Sequence, residues 1–347
     1  MPTIETPSLK ERYEQVIQTN PKLRIKEYAD LLGISELELL ASNLHDPSRK
    51  LQETPIEIYK ELPKLGRVMV LARNENAVHE RKGTFGKVQV HGSMGLIHGE
   101  DIDLRVFFDD WKYVYNVEKE HNGKMLRSIQ FFNKYGKPSQ KVYLTDDSNE
   151  EEYQKLIGSF ISDDTTLPVV EKGEKPKNYN AIEDIDFDKA ISEWEKLEDT
   201  HNFQTILETQ KIKRLELIKR APDNLAYRVY NDAVIDILHS AADRQVPIMV
   251  FVANDDIVQI HTGEIKNIRL IENWTNIMDE NFNMHLRNDL IAETFVLFKP
   301  TKDGVVTSLE LYDMDGELAI TFFGKRKPGI PELPEWQDII AELEKAK

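Results

Sequence analysis

A histidine and a cluster of cations beside aromatic rings are the features of this sequence best suited to chemistry. The periodicity of Ile191–Leu207 predicts one amphipathic helix that carries His201 on the same face as Trp194 and Leu197. The segment 322–328, FFGKRKP, places three cations beside two aromatic residues. Taken singly, these features are typical of a half-buried histidine and of a protected sheet edge. Taken together, they suit a flat apolar ligand with carboxylates, such as heme, and an imidazole to bind its iron.

Other common catalytic signatures are absent from the sequence. None of the 9 histidines belongs to an HExxH pattern, and the chain contains no cysteine. It also contains no GxSxG elbow, no Walker A loop and no GxGxxG segment after a strand. The sequence therefore indicates neither a helical zinc site, nor a serine nucleophile, nor a common nucleotide-binding loop.

Composition and charge restrict the class of protein. The chain has 347 residues, of which 40% are hydrophobic and 31% charged, as in a globular protein with about two domains. The net charge of −16 opposes binding to nucleic acid and to anionic membranes. The longest apolar run, Val246–Ala253, is too short for a membrane helix, so no membrane insertion is expected. The N-terminus does not resemble a secretory signal, and we expect a cytoplasmic protein.

The two halves of the chain resemble each other. Residues 68–74 match 248–254, and residues 128–133 match 308–313, both at an offset of 180. Leu104-Arg105 matches Leu286-Arg287, and Tyr113-Val114 matches Phe295-Val296, at an offset of 182. Such a long shared register predicts a tandem duplication. We expect a first module at 1–165, a linker rich in proline and charge at 166–180, and a second module at 181–347.

Each module is predicted to begin with helices and to continue as strands. Ser35 and Glu38 have the spacing of a capping box at the start of a helix. Short β-branched or aromatic runs separated by turns follow at 68–71, 87–90, 104–108, 113–117, 126–132 and 141–144. Successive hairpins favour an antiparallel sheet. The predicted fold class is α+β: two modules, each a helical segment with a large antiparallel sheet.

The helix pair within Leu23–Asn43 also has the outline of a helix-turn-helix, which leaves a DNA-binding regulator as a remote alternative. Its second helix, Ile34–Asn43, contains two glutamates and no basic residue. Phosphate would be repelled by this surface, so a packed helix pair is the favoured interpretation.

Several longer segments resemble the HemS/ChuS/HmuS/PhuS family of bacterial cytoplasmic hemin-utilisation proteins, often called hemin-degrading factors. They include RNENAVHE at 73–80, IDLRVF at 102–107, RSIQFF at 127–132, DTHNF at 199–203, VPIMVF at 246–251, QIHTG at 259–263, TSLE at 307–310 and FGKRKPG at 323–329. The segments cover most of the chain and both halves of the duplication. One departure is Ile320-Thr321, where the family often has Tyr or Ala followed by Gln.

The resemblance implies a heme b ligand, in a cleft of the C-terminal half that the N-terminal half partly closes. It implies His201 as the axial ligand of the iron and Arg105 as a distal, catalytic residue. Phe251 would line the pocket, and Lys299 and Arg326 would lie near the propionates. His79 is either a second residue in contact with heme or an ordinary loop or surface histidine.

The function implied by the resemblance is the receipt of imported heme for trafficking, for oxidative degradation with release of iron, or for both. An enzyme would be a non-canonical heme oxygenase with an external reductase, because no flavin or nicotinamide signature is present. A carrier without turnover would instead need an importer and an acceptor protein as partners. A heme-free adaptor is a further alternative, and it predicts that hemin produces no sharp Soret shift.

Overall fold

The computed structural model describes residues 7–121, 123–327 and 329–346. The chain divides into two compact units. Unit 1 comprises Met1–Leu71, Lys82–Lys175 and Asp255–Ile257, and unit 2 comprises Ala72–Arg81, Pro176–Asn254 and Val258–Lys347. In the part of the chain that the structure describes, no helix is both long and apolar enough to cross a membrane.

The first half of the sequence contains five α-helices and nine strands within its described residues. The helices are α1 Leu9–Thr19, α2 Ile25–Leu32, α3 Glu36–Ala41, α4 Pro55–Glu61 and α5 Glu150–Phe160. The strands are β1 Ser48–Lys50, β2 Gly66–Arg73, β3 Ala77–Thr84, β4 Val88–His91, β5 Met94–His98, β6 Asp103–Phe107, β7 Trp111–His121, β8 Lys124–Asn133 and β9 Pro138–Ser148. Short 3₁₀ helices lie at Leu62–Leu65 and Phe108–Asp110.

The second half repeats this composition. Its helices are α6 Phe187–Trp194, α7 His201–Gln210, α8 Arg214–Ile218, α9 Ala233–Asp243 and α10 Pro334–Ala341. Its strands are β10 Ala226–Val229, β11 Ile248–Ala253, β12 Ile257–Gly263, β13 Ile268–Ile271, β14 Trp274–Met278, β15 Phe282–Arg287, β16 Ile291–Thr301, β17 Gly304–Asp313 and β18 Leu318–Gly324. Short 3₁₀ helices lie at Ile182–Asp184 and Asn288–Leu290.

Unit 1 contains an antiparallel sheet in the order β1-β7-β8-β9-β2 and a three-stranded meander, β4-β5-β6. The capping box predicted at Ser35 and Glu38 starts α3. Leu37 and Leu40 of this helix are buried against aromatic residues of β7 and β8. The α3 surface is thus used for packing, as the interpretation of a packed helix pair requires.

Unit 2 contains the antiparallel order β10-β16-β17-β18-β11-β12. A second group of strands joins residues 77–81 of β3 to β15, β14 and β13. Helices α9 and α10 pack on one face of the larger group, where Ile237 and Trp336 are fully buried. The predicted α+β fold with large antiparallel sheets is confirmed.

The duplication keeps one offset, 180, from β2–β9 to β11–β18, whereas β10 follows its counterpart β1 at an offset of 178. Leu96 pairs with Arg105, and 180 residues later Asn276 pairs with His285. The β7–β8 and β16–β17 registers agree in the same way, since Val117 opposes Ser128 and Leu297 opposes Ser308. The offset of 182 inferred for these strands is therefore wrong. A shift of two residues keeps every side chain on its face of a strand, so the hydrophobic pattern does not reveal it.

Candidate functional site

His201 is the first residue of helix α7, and its side chain is 86% exposed. The single helix predicted over Ile191–Leu207 is wrong, because the chain leaves the helix after Trp194 and enters α7 only at His201. Polar side chains hold this break: Asp199 accepts a hydrogen bond from the His201 amide at 2.8 Å. Asp and Asn side chains that bind nearby amides compete with helix continuation. Trp194 is buried, whereas His201 faces solvent.

Asp199 also fixes the His201 imidazole. The Nδ1 atom of His201 lies 2.6 Å from Oδ1 of Asp199. A carboxylate can only accept, so Nδ1 donates and Nε2 carries the lone pair. The hydrogen bonds from His201 lower the pKa of Asp199. This arrangement orients the ring and leaves Nε2 available as a metal ligand.

The face of the unit 2 sheet next to α7 carries aromatic side chains. Along β11, Ile248, Val250 and Val252 are fully buried in the core, so the alternating side chain of Phe251 points to the opposite face, where it is half-buried. The rings of Phe251 and Phe323 are 5.2 Å apart at 66°.

Strand register places these rings in two rows of side chains. One row runs from Phe295 through Glu310 and Thr321 to Phe251. The next runs through Leu297, Ser308, Phe323 and Met249. Helices α6, α7 and α8 bury the Phe295 and Leu297 ends of the rows. The opposite ends, with Phe251 and Phe323, stay half-buried and form an apolar surface.

A buried ionic cluster lies between this surface and α7. Lys299 is 3% exposed, and its Nζ donates to Glu310 Oε1 at 3.0 Å. Arg214, at the start of α8, donates to both oxygens of Glu310, at 2.8 and 2.6 Å. The Lys299 Nζ lies 5.1 Å from the centre of the Phe203 ring and 5.3 Å from that of Phe323. These contacts connect the first turn of α7 to the aromatic surface.

Burial and charge act in opposite directions within the cluster. Burial alone would raise the pKa of Glu310, but the nearby Arg214 and Lys299 hold that pKa well below its usual range. Burial lowers the pKa of Lys299 to about 8, although Glu310 opposes this shift. The cluster therefore carries one carboxylate and two cations at neutral pH, for a net charge of about +1.

Arg326 follows β18 and returns to the start of α7. Its Nη1 donates to the Thr200 hydroxyl at 3.4 Å, next to His201. Its buried Nε has no hydrogen-bond partner among the described residues. An orphaned guanidinium N–H beside an apolar surface fits an anionic group of a ligand.

The structure brings four of the sequence-predicted residues together in unit 2. Phe251 contacts Phe323, Phe323 lies over Lys299, Lys299 contacts Phe203 of α7, and Arg326 reaches the residue before His201. Arg105 belongs to β6 of unit 1, where it forms an ion pair with Asp103. We define the candidate site by His201, Phe251, Phe323, Lys299 and Arg326.

His79 lies in a buried environment beside an aromatic ring. It lies in β3 and is fully buried, so a loop or surface position is wrong. Gln259 donates to its backbone carbonyl at 3.0 Å and lies 2.8 Å from its Nδ1. The Phe282 ring is 4.9 Å away. Residues 77–81 of β3 belong to unit 2, and their pairing with β15 buries this histidine.

Sequence reasoning missed three functional side chains. Asp199 lies in the DTHNF segment, but the segment alone does not reveal its contact with Nδ1 of His201. Glu310 alternates with buried Leu309 and Leu311, a pattern that places its carboxylate on the face opposite the core. A carboxylate in such a strand needs a buried cation, and Arg214 supplies one.

Comparisons with known proteins agree with this architecture. The family model for the haemin-degrading HemS/ChuX domain matches residues 33–160 and again 211–343. The hemin transport protein HmuS of Yersinia pestis is 34% identical over 338 residues, which cover 97% of both chains. Hemin transport protein HemS of Yersinia enterocolitica is 33% identical over the same share of both chains.

Solved structures show the same fold. Holo-PhuS, a heme-binding protein from Pseudomonas aeruginosa, superposes with a TM-score of 0.92 at 34% identity, covering 97% of this chain and 99% of PhuS. ChuS, an E. coli heme oxygenase, superposes with a TM-score of 0.86 at 32% identity, covering 96% and 99%. The resemblance inferred from the sequence segments is confirmed. The chain belongs to the HemS/ChuX family of haemin-degrading domains, and the family model matches it twice.

Proposed function

We propose that this chain binds heme in unit 2, with Nε2 of His201 as the axial ligand of the iron. The observation that carries the proposal is the His201–Asp199 pair at the start of α7, with an exposed imidazole whose Nε2 is free of the carboxylate. No group of three or more His, Cys, Asp or Glu side chains in the described ranges forms a metal site. A single imidazole suits iron that is already held by a macrocycle.

The surroundings of His201 match the chemistry of heme. The half-buried rings of Phe251 and Phe323 offer an apolar surface to the porphyrin. The orphaned Nε of Arg326 and the net positive ionic cluster suit the propionates. Lys299 is already paired with Glu310, so in this proposal Arg326 makes the direct contact and Lys299 supplies charge from beneath.

The function supported best is heme handling after import: binding of incoming heme and its delivery to an acceptor. The curated relatives are hemin transport proteins, and PhuS is a heme-binding protein. Oxidative degradation is the second candidate, and one observation favours it, because ChuS is described as a heme oxygenase. In that case heme is the substrate, and dioxygen and an external reductant supply the oxidant and the electrons. The cytoplasmic location and the importer, acceptor and reductase partners stay predictions.

Hemin titration followed by reduction in air tests the proposal. We expect the free protein to produce a sharp Soret band that saturates at one hemin per chain. A carrier keeps this band when ascorbate and catalase are added, whereas an enzyme loses the band and releases iron. Absence of a saturable Soret shift would contradict heme binding and favour an adaptor.

Asp199→Asn is expected to weaken hemin binding about tenfold, because loss of the partner of a ligating histidine typically reduces affinity by about 10- to 100-fold. The lower value applies because the Asp199 side chain is 48% exposed and water can replace it. Glu198→Gln, which removes the neighbouring carboxylate, is the matched control. Equal affinities for the two variants would show that Asp199 does not orient His201.

We also propose Arg105 as the distal residue. A guanidinium presents several N–H donors to a distal group. Arg105→Ala is expected to leave the axial ligation of hemin intact and to change the rate of bleaching by ascorbate in air. Arg49→Ala, which removes an exposed arginine of unit 1 that pairs with Glu118, is the control. Identical bleaching by wild type and Arg105→Ala would argue against a distal role.

A further inference from the structure

The carboxylate of Glu310 receives five donors from four side chains. Arg214 Nε and Nη2 donate at 2.8 and 2.6 Å, Lys299 Nζ at 3.0 Å and the Tyr312 hydroxyl at 2.5 Å. The Ser308 hydroxyl donates at 3.3 Å. The side chain of Glu310 is entirely buried. A carboxylate with this many donors is held in one orientation and stays ionised.

The two cations depend on this carboxylate for their positions. Arg214 comes from α8 and Lys299 from β16, and both lie against the ring of Phe203 in α7, at 4.8 and 5.1 Å from its centre. Glu310, on β17, is the acceptor that the structure gives to both of them. Removing its charge would leave two cations in a mostly buried space with no carboxylate between them.

We propose that Glu310 is a positioning residue of the heme site: it holds Lys299 and Arg214 beneath Phe203 and keeps the buried Lys299 charged at neutral pH. The inference rests on the proposed function and deepens it, because it gives hemin affinity a dependence on pH. The charged or titratable groups that face Lys299 are Glu310 and Tyr312 on β17, Arg214 on α8, and Arg326 after β18. Only Glu310 among them is an anion at neutral pH and attracts the lysine.

The sign of the pH effect follows from the lysine. Burial lowers the pKa of Lys299 to about 8, against the opposing effect of Glu310. As pH rises from 7 to 9, Lys299 loses its proton and the site loses one positive charge. The affinity for hemin, which carries two anionic propionates, then falls. The fall is about fivefold to tenfold where binding requires the charge on Lys299.

The first test observes Lys299 in the heme-free protein by NMR of ¹³Cε-labelled lysine. The Lys299 signal, assigned by its loss in Lys299→Arg, should titrate with a midpoint near 8. In Glu310→Gln, which keeps the shape of the side chain without its charge, the midpoint should fall by more than one pH unit. The inference would be overturned if Lys299 of the wild type titrated with the midpoint of free lysine. It would also be overturned if Glu310→Gln left the Lys299 midpoint unchanged.

The second test measures hemin affinity at pH 7, 8 and 9. Wild type should lose hemin affinity across this range. Lys299→Arg should lose less, because its arginine stays charged and its other ionisable groups are the same as those of the wild type. Glu310→Gln should bind hemin more weakly at pH 7, and the double variant with Lys299→Arg should recover part of the loss. Parallel pH profiles for wild type and Lys299→Arg would contradict the inference.

The two hypotheses fail in different ways. If wild type binds no hemin, the proposed function fails, and the NMR titration still decides the role of Glu310. If wild type binds hemin through His201 with the pH profile of Lys299→Arg, the inference fails and the proposed function stands. If Glu310→Gln does not fold, as thermal unfolding would show, the wild-type midpoint and the Lys299→Arg profile alone decide the matter.

Discussion

Replacement of His201 by alanine should weaken hemin binding by more than about 100-fold, because it removes the ligand itself rather than its hydrogen-bond partner. The Soret band of the complex should broaden and shift toward that of free hemin. Since the His201 side chain is 86% exposed, stability should change by less than about 0.5 kcal/mol. The loss is then one of ligation and not of folding.

Two controls make the His201→Ala result specific. His98→Ala removes a histidine of unit 1 that is 77% exposed, and it should leave the hemin titration unchanged. Thermal unfolding of the heme-free His201→Ala protein should match that of wild type. A His201→Ala variant with the wild-type spectrum and affinity would show that another group ligates the iron.

Acid should destabilise the heme-free protein because two histidines are buried in neutral form. Burial lowers the pKa of His79 to about 3, and burial also lowers the pKa of His261 well below its usual value. His261 stacks on Phe282 with ring centres 3.8 Å apart, and neither of its ring nitrogens has a hydrogen-bond partner among the described residues. Burial therefore disfavours the protonated form of both imidazoles in the folded protein.

The direction of the pH effect follows from the two states. The unfolded chain binds a proton at each histidine below about pH 6.5, whereas the folded chain does so only at much lower pH. The two neutral histidines therefore make their full contribution to the free energy of unfolding above pH 6.5. This contribution declines as pH falls from 6.5 toward 3. Between pH 7 and pH 5 the loss should be about 2 kcal/mol for His79 alone, at about 1.4 kcal/mol per pKa unit. Urea unfolding at the two pH values measures it.

A variant chosen from the other repeat isolates this contribution. The residue 180 positions after His79 is Gln259, so His79→Gln places the counterpart side chain at an equivalent strand position. Between pH 7 and pH 5, the free energy of unfolding of His79→Gln should fall by about 2 kcal/mol less than that of the wild type. His98→Gln, which removes an exposed histidine, should lose as much as wild type. Equal acid sensitivity in all three proteins would contradict the role of His79.

Local patterns in the sequence predict the two α+β modules, whereas the proposed site residues come from the resemblance to the family. Alternating apolar residues and hairpin turns identify most strands, and the capping box at Ser35 and Glu38 identifies the start of α3. Predictions fail where a non-local contact decides the outcome. Residues 77–81 of β3 pair with β15 within unit 2, and this pairing buries His79. No sequence pattern within residues 73–80 indicates that this segment pairs with β15.

The start of α7 shows the same limit on a local scale. Apolar periodicity continues from Trp194 through Leu197 to His201, so it predicts one helix. Asp199 accepts hydrogen bonds from the amide and the ring of His201, and these bonds stabilise the break in the helix that leaves the histidine exposed. The polar residues between the apolar positions, and not the apolar positions themselves, make this histidine a candidate ligand.

Imidazole rescue of a His201→Gly variant is the sharpest test of whether His201 ligates the heme iron. The variant leaves a gap at the start of α7 that a free imidazole can fill as the axial ligand of bound hemin. We expect a weakened, altered Soret spectrum without imidazole and a return to the wild-type spectrum when imidazole is added. A His201→Gly protein that keeps the wild-type spectrum without imidazole would contradict ligation of the heme iron by His201.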